Sequence, residues 1–185
     1  MTRVRQPGLL LGEWACLGAL AQERAHGFAV GRRLAPDGDI GRVWTMSRPL
    51  TYRALDILAR QGMIRIVAEE PGAAGPSRVV LGPTPKGRAA LRTWLRTPVS
   101  HLRDIRGELL LKLVLSELLG FGTAALLDAQ LELFVRLRDT LAERVEPQGT
   151  GTVDPPDPVA AWRRENAEAA VRFLTGLAGT PTASV

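Results

Sequence analysis

The sequence predicts a mainly α-helical chain with one small β-hairpin, and three observations predict it. Apolar residues recur at helical spacing through most of the 185 positions. One Gly/Pro-rich stretch, Pro71–Pro76, lies between two short runs of strand character. Start and stop signals, chiefly Ser or Thr close before Pro and then a closing Gly, bracket the segments around that hairpin. Apolar residues make up 45% of the chain, enough to bury a core.

In chain order, residues 9–23 read as a helix that is apolar nearly all round, with Leu10, Trp14, Leu17 and Ala21 on one face and burial expected on most sides. His26-Gly27 breaks it, and His26 is placed to cap the next helix. That short helix, from Phe28 to Ala35, turns Phe28, Gly31 and Ala35 inward and Arg32 and Arg33 outward. Pro36-Asp37-Gly38-Asp39 is a turn, and Trp44, in the loop beyond it, is a packing anchor. Ser47 then caps a helix whose first turn tolerates Pro49 and whose end is set by Gly62. On its wheel Leu50, Ala54, Ile57 and Leu58 share one arc, and Tyr52, Arg53, Asp56 and Arg60 the other.

Met63–Glu69 alternates in part, Ile64, Ile66 and Ala68 against Arg65, Val67 and Glu69, and reads as a strand; Ser77–Gly82 is its partner across the Gly/Pro tip. Thr84-Pro85 opens the next helix, with Leu91, Trp94 and Leu95 apolar and Pro98 as its end. Asp104–Leu119 is apolar almost all round and reads as central. Ala124–Val145 carries Leu127, Leu131, Phe134 and Leu141 at helical spacing. Pro147–Pro158 is a loop by composition. The last helix, Val159–Leu177, carries Trp162, Ala169 and Phe173 on one stripe, and the tail from Gly179 is expected to fray.

Charge is divided unevenly. Residues 1–100 carry a formal charge of +8 and residues 101–185 carry −3, within a total of +5. The basic half is the one to suspect of meeting a polyanion. Its order of elements, two helices, a capped helix, a hairpin and another helix, is a helix-turn-helix with a wing. The major groove of B-form DNA admits one helix whose N-terminal residues face base edges. Ser47, Arg48, Pro49 and Thr51 stand at that end of the capped helix, followed by Tyr52 and Arg53. Arg32, on the preceding helix, and Arg65 and Arg78, on the hairpin, are candidate phosphate contacts, which add affinity without sequence information. The fold expected is a winged helix-turn-helix domain over residues 8–99 and an α-helical dimerisation domain over 100–185.

Three segments, "HGFAVGRRL" (His26–Leu34), "SRPLTYRALDILARQGMI" (Ser47–Ile64) and "TPKGRAALRTWL" (Thr84–Leu95), resemble the PadR family of bacterial transcriptional regulators. In that family a His-Gly-aromatic opens the second helix, a Leu-Tyr-x-x-Leu segment (here Thr51–Leu55) forms the recognition helix, and Thr-x-x-Gly-Arg starts the helix after the wing. The resemblance spans roughly residues 9–97, and Arg103–Gly120 resembles the start of the family's C-terminal helices. Two positions depart from the pattern: Ser77-Arg78-Val79-Val80 stands where Lys/Arg-Tyr-Tyr is usual, and Pro83 stands where Leu is usual. The resemblance implies a homodimer, often a repressor, that binds an inverted-repeat operator in double-stranded DNA and in some members is released by a small aromatic or hydrophobic effector.

Trp14, Trp94, Trp162 and Phe173 are candidates for such an effector pocket; core or interface packing is the stronger reading of the tryptophans. Cys16 sits among apolar neighbours and reads as a buried, inert thiol. Two histidines and one cysteine, scattered, give no metal site, and no cofactor is expected. The N-terminal stretch after Arg3 and Arg5 imitates a signal peptide, but Glu13 interrupts it. The run Leu109–Leu119 is too short to span a bilayer and contains Lys112 and Glu117. No membrane partner is expected, and the chain reads as cytoplasmic. No P-loop, G-x-S-x-G, G-x-G-x-x-G or H-E-x-x-H occurs, so an enzyme is not indicated. The rival class is a winged-helix adaptor that binds protein and does not read DNA.

Overall fold

The computed structural model describes residues 8–71, 78–143 and 157–179. The hairpin tip with Ser77, Arg3 and Arg5, most of the loop expected after Pro147, and the tail beyond Gly179 lie outside the described residues. The elements are α1 (Leu11–Gln22), α2 (Gly27–Arg33), α3 (Arg48–Arg60), β1 (Ile64–Glu70), β2 (Arg78–Pro83), α4 (Pro85–Leu95), a 3-10 turn (Leu102–Asp104) running into a π-helical stretch (Ile105–Leu109), α5 (Leu110–Leu118), α6 (Ala124–Glu143) and α7 (Pro158–Ala178). None of the described helices is long and apolar enough to cross a membrane. The chain forms two compact units. One is built from the chain up to Thr97 together with Arg106–Gly122, the other from Pro98–Ile105 and the chain from Thr123 on.

In the first unit α1 is buried on every side, from Glu13 to Leu20. It begins at Leu11 rather than at residue 9. Leu10 precedes it as an exposed cap position, because the Glu13 carboxylate turns back to accept the Leu10 N–H. Cys16 lies in the α1 core. Burial, with the nearby Glu13 charge, pushes its thiol up to about 12, so it carries no thiolate at neutral pH. Around α1 pack α2, α3, α4, α5 and β2. The inward residues of α3 are Thr51, Ala54, Leu55 and Leu58. This corrects the expected arc: Leu50 is exposed and Ile57 only half-buried. Thr51 can go inside because its hydroxyl donates to the Ser47 carbonyl one turn back, which leaves no unpaired polar atom. In α2 the inward pair is Val30 and, at the C-cap, Leu34; Phe28, expected inside, is 45% exposed.

Gly62, at φ +67°, ends α3 in the left-handed region. The chain then enters an antiparallel hairpin running from Ile64↔Pro83 to Glu70↔Arg78, with an irregularity between Ile66 and Ala68. That bulge breaks the simple alternation and leaves Ile66 exposed. Reciprocal hydrogen bonds between Ala25 and Leu81 fasten the wing to the α1–α2 connection. Thr84 caps α4 by accepting the Gly87 N–H, while its hydroxyl reaches back to the Gly62 carbonyl.

The boundary expected near residue 99 moves. Arg106–Gly122, with α5, belongs to the first unit: Leu111 and Leu115 enter the same core as α1 and α4. Gly18 makes room, since a Cβ there would stand 2.6 Å from the Leu115 side chain. Trp14 and Trp94 stack at 4.9 Å between ring centroids. Lys112 lies over the Trp94 ring, 1% exposed, and donates to Glu108 and to the Thr97 carbonyl at 2.6 Å each. Glu108 also accepts from the Trp94 indole N–H at 3.1 Å.

In the second unit α6 packs on α7. Leu126, Leu127, Gln130 and Phe134 are buried on α6, and Ala167, Ala170, Val171 and Leu174 on α7. Gln130 plays the part of a backbone partner, donating to the Val99 carbonyl and accepting the Val99 N–H. The α7 stripe of Trp162, Ala169 and Phe173 is exposed. Asp157 caps α7 and Pro158 is its first residue, so the loop expected through Pro158 ends before it.

Removal of the Glu108 carboxylate takes the counter-charge from Lys112 and the acceptor from the Trp94 indole. We expect Glu108→Ala to lower unfolding stability by about 3 kcal/mol, the usual cost of leaving a buried charge without its partner, and Glu108→Gln to lower it by less. Urea titration of the full chain measures both; a Glu108→Ala midpoint equal to that of the parent would refute the assignment.

Candidate nucleic-acid interface

The exposed side of the first unit gathers most of the residues singled out for DNA contact. Ser47 holds the N-cap position of α3 in extended backbone, but its hydroxyl makes no capping bond and is exposed. Arg48 and Pro49 open the helix, also exposed. Tyr52, at 46% exposure, and Arg53 follow on the same side. Thr51 does not: it is fully buried, and the expectation that it faces a base is corrected. Arg32 is exposed on α2, whereas its neighbour Arg33 is a structural residue.

Arg33 grips Asp39 through two guanidinium nitrogens and donates to the Ala19 carbonyl of α1. The Arg33 carbonyl accepts the Ile40 and Gly41 N–H groups, and the Met46 N–H closes on the Leu34 carbonyl. These bonds fold the α2–α3 connection into a fixed turn. Gly41 is required there, because a Cβ would fall 1.7 Å from the Ala35 carbonyl oxygen. The turn carries Trp44 and Met46, which pack on the core, and so fixes where Ser47 and the start of α3 stand. The Arg33 guanidinium hydrogen-bonded to Asp39 holds the Asp39 carboxyl below the usual carboxylate range.

A concave surface of about 520 Å³ lies between α2, α3 and the wing. His26, Phe28, Tyr52, Asp56, Arg78 and Val79 are among the residues that line it. The fold thus brings Tyr52 of the capped helix and Arg78 of the second wing strand to one cleft. Arg65 does not line it; it stands exposed near the base of the hairpin, opposite Gly82. His26 caps α2 as expected, its Nδ1 accepting the Ala29 N–H at 3.1 Å. Phe28 was missed as a surface residue. The spacing of Val30 and Leu34, four apart and both aliphatic, is the signal that places Phe28 on the other side of the helix.

The four aromatic residues considered for an effector pocket divide between the two units. Trp14 and Trp94 fill each other's faces in the core at 3% and 2% exposure. Their stacking accounts for both without a ligand. Trp162, at 70%, and Phe173, at 40%, are surface residues of α7.

No family model matches the chain. Among curated proteins it is similar to the probable transcriptional regulator Rv1176c of Mycobacterium tuberculosis, 29% identical over 96 residues, or 52% of this chain. The chain spans about half the length of that relative, 49%. Among solved structures it is similar to Bacillus subtilis PadR in complex with operator DNA, with 17% identity, a TM-score of 0.45 and coverage of 90% of this chain and 97% of the other. It is also similar to Bacillus subtilis PadR crystallised without DNA, with 16% identity, a TM-score of 0.41 and coverage of 94% and 96%.

The Arg33–Asp39 contact has a pH signature. The carboxyl is depressed in the folded chain, so its contribution is complete above the unfolded value and is lost as pH falls through the folded one. We expect Asp39→Asn to be less stable than the parent at about pH 6 and the difference to shrink towards about pH 3. Urea midpoints across that range test it; a difference that stays constant with pH would show that the charge of Asp39 plays no part.

Proposed function

We propose that this chain is a sequence-specific DNA-binding transcriptional regulator of the PadR kind, acting as a homodimeric repressor on an inverted-repeat operator. The observation that carries the proposal is the exposed start of α3. Arg48, Tyr52 and Arg53 are exposed on a helix whose start is fixed by the Arg33–Asp39 turn, and Arg78 of the wing lines one cleft with Tyr52. A helix presented in this way fits the major groove by its N-terminal turn, and its unpaired first-turn amides favour phosphate. The excess positive charge of residues 1–100 supplies the non-specific attraction. Similarity to a probable transcriptional regulator over about half its length points the same way.

The dimer rests on α7. Val159, Trp162, Phe173 and Leu177 are all exposed at 36% or more and recur at helical spacing down one side. A two-fold contact of such stripes buries them on both copies at once. An inverted-repeat operator offers its two half-sites on successive major grooves, roughly 34 Å apart.

Fluorescence anisotropy of the full chain with duplex from upstream of its own gene, against a scrambled duplex over a salt series, tests the DNA reading. We expect saturable, sequence-preferring binding with a steep salt slope. Arg53→Ala should weaken it about tenfold and flatten the slope by about one. Equal, weak binding to both duplexes would leave an operator located elsewhere or the adaptor class, and would move the adaptor to the front. Sedimentation tests the dimer. Trp162→Asp with Phe173→Asp should give a folded monomer where the parent is a dimer; a variant that remains dimeric would place the interface elsewhere.

A further inference from the structure

The two arginines at the start of α3 are held differently. Among the described residues, Arg53 forms no ion pair or side-chain hydrogen bond, so its long side chain is free to follow a phosphate. Arg48 also forms no ion pair among the described residues, but its position is defined: its guanidinium carbon lies over the ring of Phe28, 4.9 Å from the centroid. Phe28 is itself 45% exposed, a large ring kept at the surface of α2 beside the recognition helix. Its backbone is anchored by the His26 cap, whose imidazole accepts the Ala29 N–H. The Tyr52 ring lies beside Gly27, close enough that a Cβ there would meet it at 2.8 Å. The platform under Arg48 is therefore built from the first turn of α2.

A cation over a ring face is held by the ring's quadrupole, and the Arg48 side chain makes no hydrogen bond among the described residues, so its N–H donors stay unengaged. Those donors form a rigid fork that matches the O6 and N7 acceptors of guanine in the major groove. An arginine already held on one platform loses less rotamer freedom on docking than one that waves in solvent. Position favours the same residue, since Arg48 is the first residue of α3 and the N-terminal turn is the part of a recognition helix that meets base edges. We propose that Arg48, held by Phe28, reads a guanine in the operator, while Arg53 anchors the backbone. Phe28 is a positioning residue: it acts through Arg48. The inference rests on the DNA-reading function proposed above and assigns the base class that function recognises.

The test begins with the full-length parent chain and a randomised duplex library, from which bound sequences are selected and a motif derived. Each guanine of the selected duplex is then replaced in turn by 7-deazaguanine, which lacks the N7 acceptor. Binding is measured for the parent, Arg48→Ala, Arg48→Lys, Phe28→Ala and Phe28→Tyr. For the parent, one such replacement should weaken binding by about fivefold or more. For Arg48→Ala the same replacement should cost nothing, and Arg48→Lys should show an intermediate loss. Phe28→Ala should reduce the discrimination at that guanine by about two- to fivefold. Phe28→Tyr, which keeps the platform, should restore the discrimination. Thermal unfolding of the Phe28 variants separates a folding defect from lost discrimination, and Phe28→Tyr keeps the question answerable if Phe28→Ala does not fold. A 7-deazaguanine penalty of equal size in the parent and in Arg48→Ala overturns the assignment of Arg48. An undiminished penalty in Phe28→Ala overturns the role of Phe28. A library that yields no motif with the parent removes the DNA-reading function itself, a result distinct from either.

Discussion

A helix with no solvent face has to be surrounded, and most of the first unit depends on that constraint on α1. Glu13 to Leu20 are all buried, so α1 must be covered by α2, α3, α4, α5 and the second wing strand together. No subset closes the core. The covering helices need one apolar side each and are free to carry charge on the other. That division leaves the outer side of α3 available to a partner. The Trp14–Trp94 stack joins the central helix to one of its covers, with about 1 kcal/mol beyond the area the rings bury.

The same constraint explains why α5 belongs with the wing and not with the helices after it. Leu111 and Leu115 complete the cover of α1, and Lys112 closes over Trp94 with Glu108 as its counter-charge. A buried lysine of this kind contributes little net energy against a well-packed apolar residue, but it penalises any arrangement that separates it from Glu108. It therefore specifies where α5 sits. A fragment ending near Pro98 would lack this cover and expose the inner sides of α1 and α4, so the winged unit is complete only with residues 106–122.

Much of this is legible in the residues. His26, Thr84 and Gly62 mark helix ends by local chemistry alone, and each does what its side chain, or lack of one, permits. The hairpin is legible from two strand-like runs around a Gly/Pro tip. Orientation about a helix axis is not. Thr51 reads as an outward residue because a hydroxyl is polar, yet a hydroxyl that satisfies itself on the preceding turn costs little to bury. That one residue rotates the inward arc of α3 and releases Leu50 to the surface. On α7 the spacing groups Trp162, Ala169 and Phe173 on one stripe but does not say which side packs inward. The small residues Ala167 and Ala170, with Val171 and Leu174, are the ones that let α6 approach. The break at Val67 is invisible in the sequence, because a bulge depends on the partner strand as much as on its own residues. The place of α5 is hidden too, since it rests on contacts across more than ninety residues of sequence between Gly18 and Leu115.

The residues that define the candidate interface contribute little to holding the fold together. Arg48, Tyr52 and Arg53 lie outside the core that Thr51, Ala54, Leu55 and Leu58 close. The rigidity they need comes from elsewhere: from the Arg33–Asp39 turn that fixes where α3 begins, and from the capped first turn of α2 that carries Phe28. Rigidity and recognition are therefore carried by different side chains. Substitution on the outer side of α3 can change the chemistry that surface presents while the core stays closed, whereas substitution in the turn or the cap would disturb where the helix begins. A surface arranged in this way can be altered residue by residue, because its scaffold does not depend on the side chains it presents.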